Sequence, residues 1–156
     1  MFAKTAVIVL AAAASIASAL PSSEPPSRVE SSPRAKRTTS SHYGLATVYD
    51  QEGAYGSCGQ KHADSDFIAA LTPTWQGSSY PPKYCGRKVF ITNTGSGDGV
   101  GGKGNSVTVT VEDTCPGCPS ADSIDLSRGA FSSLTNGATT GNVNIEWHFC
   151  NVNGQC

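Results

Sequence analysis

From Val107 the chain alternates apolar and polar side chains, Val-Thr-Val-Thr-Val-Glu-Asp. A period of two predicts a strand with one buried face, and Asp113 falls at its end. Over residues 142–149 the same alternation puts Val143, Ile145, Trp147 and Phe149 on one face. Asn144, Glu146 and His148 face the other way, so Trp147 is predicted to be core. Residues 44–50 predict a first strand, with Leu45, Thr47 and Tyr49 on one side and Ala46, Val48 and Asp50 on the other. Residues 66–72, Asp-Phe-Ile-Ala-Ala-Leu-Thr, form a continuous apolar run between Gly and Pro signals, as in a buried strand. Residues 88–93 predict another strand.

The segments between these strands read as loops, with one short helix. Residues 38–42 are a polar, frayed start, and 51–62 form a Gly-rich polar loop containing Cys58. Residues 73–84 form a proline-bearing loop with Trp75, Tyr80 and Tyr84. These three aromatics are candidates for a sugar-stacking or partner-binding surface, or else for a cover over the core and the neighbouring disulfide. Residues 94–105 contain Gly97-Asp98-Gly99-Val100-Gly101-Gly102, which matches the dinucleotide-binding fingerprint by letter. A strand follows it instead of a helix, so the segment is predicted to be a hairpin loop. After the 107–113 strand, a Cys-Pro-Gly-Cys turn at 115–118 precedes Asp125. Ser127 then stands where it can cap a helix, with Leu126 and Phe131 spaced as a hydrophobic staple and Asn136-Gly137 as the stop. Five or six strands with long loops and no repeats predict a small closed β structure, because so many strands must hide their edges.

Composition narrows what the chain is for. Residues 1–19 carry Lys4, an apolar run from Ala6 to Ala14 and then Ala17-Ser18-Ala19, the pattern of a secretory signal peptide. Residues 20–37 are rich in Pro, Ser, Glu and Arg and end in Lys36-Arg37. They predict a propeptide cut at a dibasic site, or a disordered linker. The 156-residue chain less its first 37 residues leaves 119, a length suited to one domain (38–156). That part holds six basic and ten acidic residues, a balance of −4, and lacks the basic excess of a nucleic-acid binder. No later segment has the length of a membrane span.

All six cysteines lie in that domain, and an even count in a small secreted domain predicts three disulfides with fifteen possible pairings. Spacing favours Cys150 with Cys156 and allows a tight loop between Cys115 and Cys118, which leaves Cys58 with Cys85. Neither a redox dithiol nor a zinc site is expected at Cys115–Cys118: no βαβ pattern surrounds it, and His42, His62 and His148 lack ligand spacing. No metal or cofactor is predicted. No Gly-x-Ser-x-Gly elbow announces a serine hydrolase either.

Taken together, Gly44-Leu-Ala-Thr-Val-Tyr, Ala-Ala-Leu, Cys85-Gly86, the stretch from Val107 to Cys118, Ile124-Asp-Leu-Ser with Ala130-Phe131, and the final Asn-Ile-Glu-Trp resemble a known superfamily. It is that of the double-psi β-barrels of rare lipoprotein A and the expansins, and the fungal single-domain loosenin-like members are the most alike. The resemblance implies an all-β, six-stranded double-psi barrel with one or two short helices, stabilised by disulfides and open along a polysaccharide groove. It places the groove acid at Asp125, a supporting acid at Asp113, and polar and aromatic contacts at Thr47 and Tyr49. Trp75, Tyr80 and Tyr84 would add binding surface. Full expansins carry a second, aromatic-faced domain that has no counterpart after Cys156.

An inverting glycosidase needs an acid and a separate base, roughly 6.5–9.5 Å apart. The related family 45 endoglucanases place the base two residues beyond the tyrosine of the first strand, where this chain has Gln51. Asp50 is one residue short, and on a strand that offset reverses the face. The expected role is therefore that of a secreted, monomeric, non-hydrolytic protein that binds and loosens cellulose, chitin or a related glucan. The alternative is a protein-binding module of the cysteine-protease-inhibitor or effector kind, using the loops of the same barrel.

Overall fold

A computed structural model describes residues 40–96 and 98–156. The signal peptide (1–19), the segment 20–37 with its Lys36-Arg37 pair, and Gly97 lie outside the described residues. The strands are β1 (His42–Tyr49), β2 (Ile68–Leu71), β3 (Lys88–Gly95), β4 (Ser106–Thr114), β5 (Ile124–Ser127) and β6 (Val143–Phe149). Two short helices, α1 (Pro73–Gln76) and α2 (Arg128–Leu134), complete the set.

The six strands close into a barrel in the order β1-β5-β2-β4-β3-β6. Two neighbouring pairs, β1/β5 and β2/β4, run parallel, and the others are antiparallel. A parallel partner requires a crossover, so β1 meets its neighbour β5 only after most of the chain has passed. In that pair Thr47 lies opposite Asp125 and Tyr49 opposite Ser127.

Inward positions follow the predicted alternation. Val107, Val109 and Val111 of β4 and Val143, Ile145 and Trp147 of β6 are buried, together with Ala46, Ala69, Leu71, Ile124 and Leu126. Phe131 and Leu134 of α2 join this core with no exposed surface. Burial of these side chains supplies the main stabilising term, at roughly 25 cal/mol per Å² of apolar area. The disulfides are Cys58–Cys85, Cys115–Cys118 and Cys150–Cys156: the last is the closure that spacing favoured, and the other two are the pairs it allowed.

Several local features differ from the sequence expectation. Ile124–Ser127, expected only as the lead-in to a helix, is a strand, because backbone pairing with β1 and β2 on either side holds four residues extended. Residues 73–76, expected as loop, form one helical turn with Pro73 in its first turn. His42 belongs to β1 and packs against Trp75 and Trp147, with ring centroids 4.7 and 4.5 Å apart. Ser127 does stand at the start of α2, but its side chain makes no cap. Its hydroxyl donates to the Asp66 carbonyl and accepts from the Ile68 amide, tying α2 to β2. Asn136 and Gly137, at φ 59° and 96°, end the helix as expected. Among the described residues no helix is long and apolar enough to cross a membrane.

Candidate functional site

On one side of the barrel, β1, β4 and β5 frame an open cleft of about 340 Å³. Thr47 and Tyr49 line it from β1, Asp113 and Thr114 from the end of β4, and Asp125 from β5, while the Cys115–Cys118 turn forms its rim. The parallel pairing explains the geometry. Side chains of directly opposed residues share a face, so Thr47 and Asp125 project together, and the Thr47 hydroxyl donates to Asp125 Oδ1 at 2.6 Å. The other carboxylate oxygen, Oδ2, lies 3.9 Å from Cys115 Sγ, whose sulfur is held in a disulfide.

Asp113 is oriented differently. Its Oδ1 accepts from the backbone amides of Ser57 at 2.7 Å and Thr114 at 2.8 Å, which fastens the 51–62 loop to the cleft wall. Ser57 and Thr114 add a hydroxyl pair at 2.7 Å. Gly56 lets the loop come this close: a Cβ there would meet the Glu112 carbonyl oxygen at 2.5 Å and Asp113 Cγ at 3.3 Å. Behind the cleft the buried Gln51 donates from Nε2 to the Tyr49 hydroxyl at 2.6 Å, while its own backbone amide donates to Asp64 Oδ1.

The electrostatics separate the groups. Burial pushes the Asp125 carboxyl above its ordinary range; the Thr47 hydrogen bond opposes this, and the nearby Asp113 charge adds to it. Burial likewise pushes the Tyr49 phenol above its usual range, against the Gln51 hydrogen bond and with Asp113, Asp125 and Glu112 reinforcing. Tyr49 therefore remains a neutral hydroxyl, and the Asp125 carboxyl holds its proton to higher pH than an exposed aspartate does. Asp50, by contrast, projects away and pairs with Arg128 through both guanidinium Nε and Nη2, the latter at 2.7 Å. That bond from Arg128 holds its pKa below the ordinary value.

The structure thus gathers Thr47, Tyr49, Asp113 and Asp125 and leaves the aromatic candidates elsewhere. Trp75 packs edge-on against His42, Tyr84, Trp147 and Phe149, and its indole N–H donates to Asp122 Oδ1 at 3.0 Å. Tyr84 stacks on Phe149 at 4.6 Å. Tyr80 is 82% exposed. Sequence reasoning missed Gln51 as the partner of Tyr49 and Gln76 as a buried tie, its side chain bonding to the Asp113 carbonyl and the Tyr84 amide. An isolated glutamine in a Gly- or Pro-bearing connection carries no periodic signal. Among the described residues no three His, Cys, Asp or Glu side chains are placed to hold a metal ion.

Comparison with known proteins bears on this arrangement. No protein-family model matches the chain. A curated relative, an Asp f 7 allergen homolog from Arthroderma benhamiae, is 31% identical over 121 residues, which is 68% of this chain and 38% of that protein. The chain therefore spans under two fifths of the length of that relative. Among solved structures, the Streptomyces papain inhibitor superposes with a TM-score of 0.55 at 29% identity, covering 70% of this chain and 94% of the inhibitor. The expansin of Clavibacter michiganensis superposes with a TM-score of 0.53 at 26% identity, covering 72% of this chain and 52% of the expansin. The closed order β1-β5-β2-β4-β3-β6, its two parallel pairs and these likenesses agree, and the chain belongs to the double-psi β-barrel superfamily that includes the expansins.

Proposed function

We propose that this chain is a secreted protein that binds cell-wall polysaccharide in the Thr47–Tyr49–Asp125 cleft and loosens it without hydrolysis. One observation carries the proposal: a carboxyl whose pKa burial raises shares an open cleft with two neutral hydroxyls, while Asp50 is engaged by Arg128 on a different face. Asp125 donates a hydrogen bond to a glucan oxygen when protonated and accepts one from a glucan hydroxyl when ionised, and the Tyr49 and Thr47 hydroxyls offer further partners. Together they compete with the contacts between neighbouring polysaccharide chains. Asp113, whose Oδ1 accepts from two backbone amides, holds the wall in place.

The similarity to an expansin supports this reading, and three disulfides suit an oxidising, extracellular setting. The test is retention of residues 38–156 on insoluble cellulose and chitin, paired with a reducing-sugar assay. Retention that Asp125→Asn abolishes, without sugar release, is the expected result; release of sugar overturns the non-hydrolytic claim.

A second reading rests on the likeness to the Streptomyces papain inhibitor, which this chain matches over nearly all of that protein's length. In it the loops bind a protein such as a cysteine protease. Inhibition of papain that persists in Asp125→Asn, with no retention on either polymer, favours that reading.

A further inference from the structure

We propose that Tyr55 is a second ligand-binding element, a platform on which a pyranose ring of the bound polysaccharide stacks beyond the end of the cleft. This rests on the polysaccharide reading above. A cleft of about 340 Å³ lies at the low end of the roughly 300–1,000 Å³ typical of small-ligand sites. A polymer seated in it must therefore continue over surface outside it. The loop that carries Tyr55 forms the adjoining surface: Ser57, two residues on, donates its amide to Asp113 Oδ1, and Gly56 presses against the Glu112 backbone and Asp113.

Tyr55 itself is built to be presented. It is 71% exposed although aromatic, yet its backbone is fixed by a bridge to Lys61 and by the Gly56 amide bond to the Gln60 carbonyl at 2.9 Å. The Cys58–Cys85 disulfide anchors the same short loop to the barrel. Lys61 Nζ lies over the ring, 4.6 Å from its centroid, which orients the ring and occupies one face. The rest of the ring remains open to solvent. The Tyr80 hydroxyl comes within 3.1 Å of where a Cβ on Gly59 would stand, so a second exposed ring borders this loop. Around Tyr55 the neighbours Glu52, Ala54 and Gln60 are small or polar and exposed. An exposed ring set among polar neighbours matches a pyranose, with its apolar face and hydroxyl edges, better than it matches the contiguous apolar patch of a protein interface.

The experiment measures binding of residues 38–156 to the disaccharides and hexasaccharides of the cellulose and chitin series by calorimetry. Tyr55→Ala is expected to weaken hexasaccharide binding about threefold to tenfold while leaving the disaccharide unchanged. Tyr55→Trp restores the hexasaccharide affinity. If the parent binds hexasaccharide and Asp125→Asn weakens it, but Tyr55→Ala equals the parent, the platform is overturned and the cleft reading stands. If the parent binds no hexasaccharide of either series, both fail. A loss in Tyr55→Ala that is equal for disaccharide and hexasaccharide also overturns the platform, since it would place Tyr55 within the cleft.

Discussion

The Thr47 hydroxyl donates to Asp125 Oδ1 at 2.6 Å, across a parallel pair in which the two residues are directly opposed. A hydrogen bond to the charged carboxylate favours ionisation and so works against burial, which raises the Asp125 pKa. Thr47→Ala is therefore expected to raise that pKa further and keep the acid protonated to higher pH. Carbon-detected NMR titration of the aspartate carboxyls reads this directly, and an Asp125 midpoint that stays put or falls would refute it.

Asp125→Asn should separate function from stability. Folding raises the Asp125 pKa, so the folded state holds this proton more tightly than the unfolded chain. The stabilising contribution is fully present below the unfolded carboxyl value and is lost as pH rises through the folded one. At pH 7 the amide removes the cost of a partly buried charge, and Tm is expected to rise by roughly 2–5 °C while polysaccharide retention falls. At pH 3 the two proteins should melt together. Calorimetric scans at the two pH values decide it.

Asp50→Asn is the matching control. Its carboxylate faces Arg128 on the exposed surface, so neutralising it should leave polysaccharide retention unchanged. A loss comparable to that of Asp125→Asn would mean that the first strand presents Asp50 to the ligand after all.

Gly44→Ala tests how tightly β1 is fitted. A Cβ there would stand 2.2 Å from the Asp122 carbonyl oxygen, a backbone atom with little room to yield. The expected cost is about 1–3 kcal/mol by urea unfolding. The loss should be smaller for Gly117→Ala, where nothing lies within 4 Å.

The disulfides should rank by the loops they close. Cys115–Cys118 spans a separation of 3 residues and Cys58–Cys85 one of 27. In the chain-entropy model their paired alanine replacements cost about 2 and about 3.6 kcal/mol respectively. Loss of the shorter one should also lower polysaccharide retention, because it removes the rim of the cleft.

Much of this architecture is legible along the chain, for reasons that also explain the gaps. The β4 and β6 strands announce themselves because one face of each is core, so burial writes a period of two into Val107–Val111 and Val143–Trp147. The parity of β1 likewise separates Thr47 and Tyr49 from Asp50 by alternation alone. The β5 strand is harder: only Ile124 and Leu126 of its four residues are apolar, and it is held by strands that lie far away in sequence. Trp75 and Tyr84 illustrate the converse limit. Their surroundings, His42, Trp147 and Phe149, come from β1 and β6, so no local signal distinguishes an aromatic that joins a cluster from one that faces a ligand. Tyr55 is silent for a similar reason: it sits in a polar loop whose sequence carries no sign of how near the fold brings its neighbours Gly56 and Ser57 to Asp113.

Asp122 serves both tryptophans of the chain: Trp75 donates to its side chain and Trp147 to its backbone carbonyl at 2.8 Å. Neither indole lines the cleft. Intrinsic fluorescence of this protein is consequently an optical probe of a single seam of the barrel, where β6 and α1 meet the turn before β5. Its emission will follow unfolding with a large red shift but stay nearly constant as sugar is added. Ligand titrations should therefore be read from the tyrosine resonances or from heat.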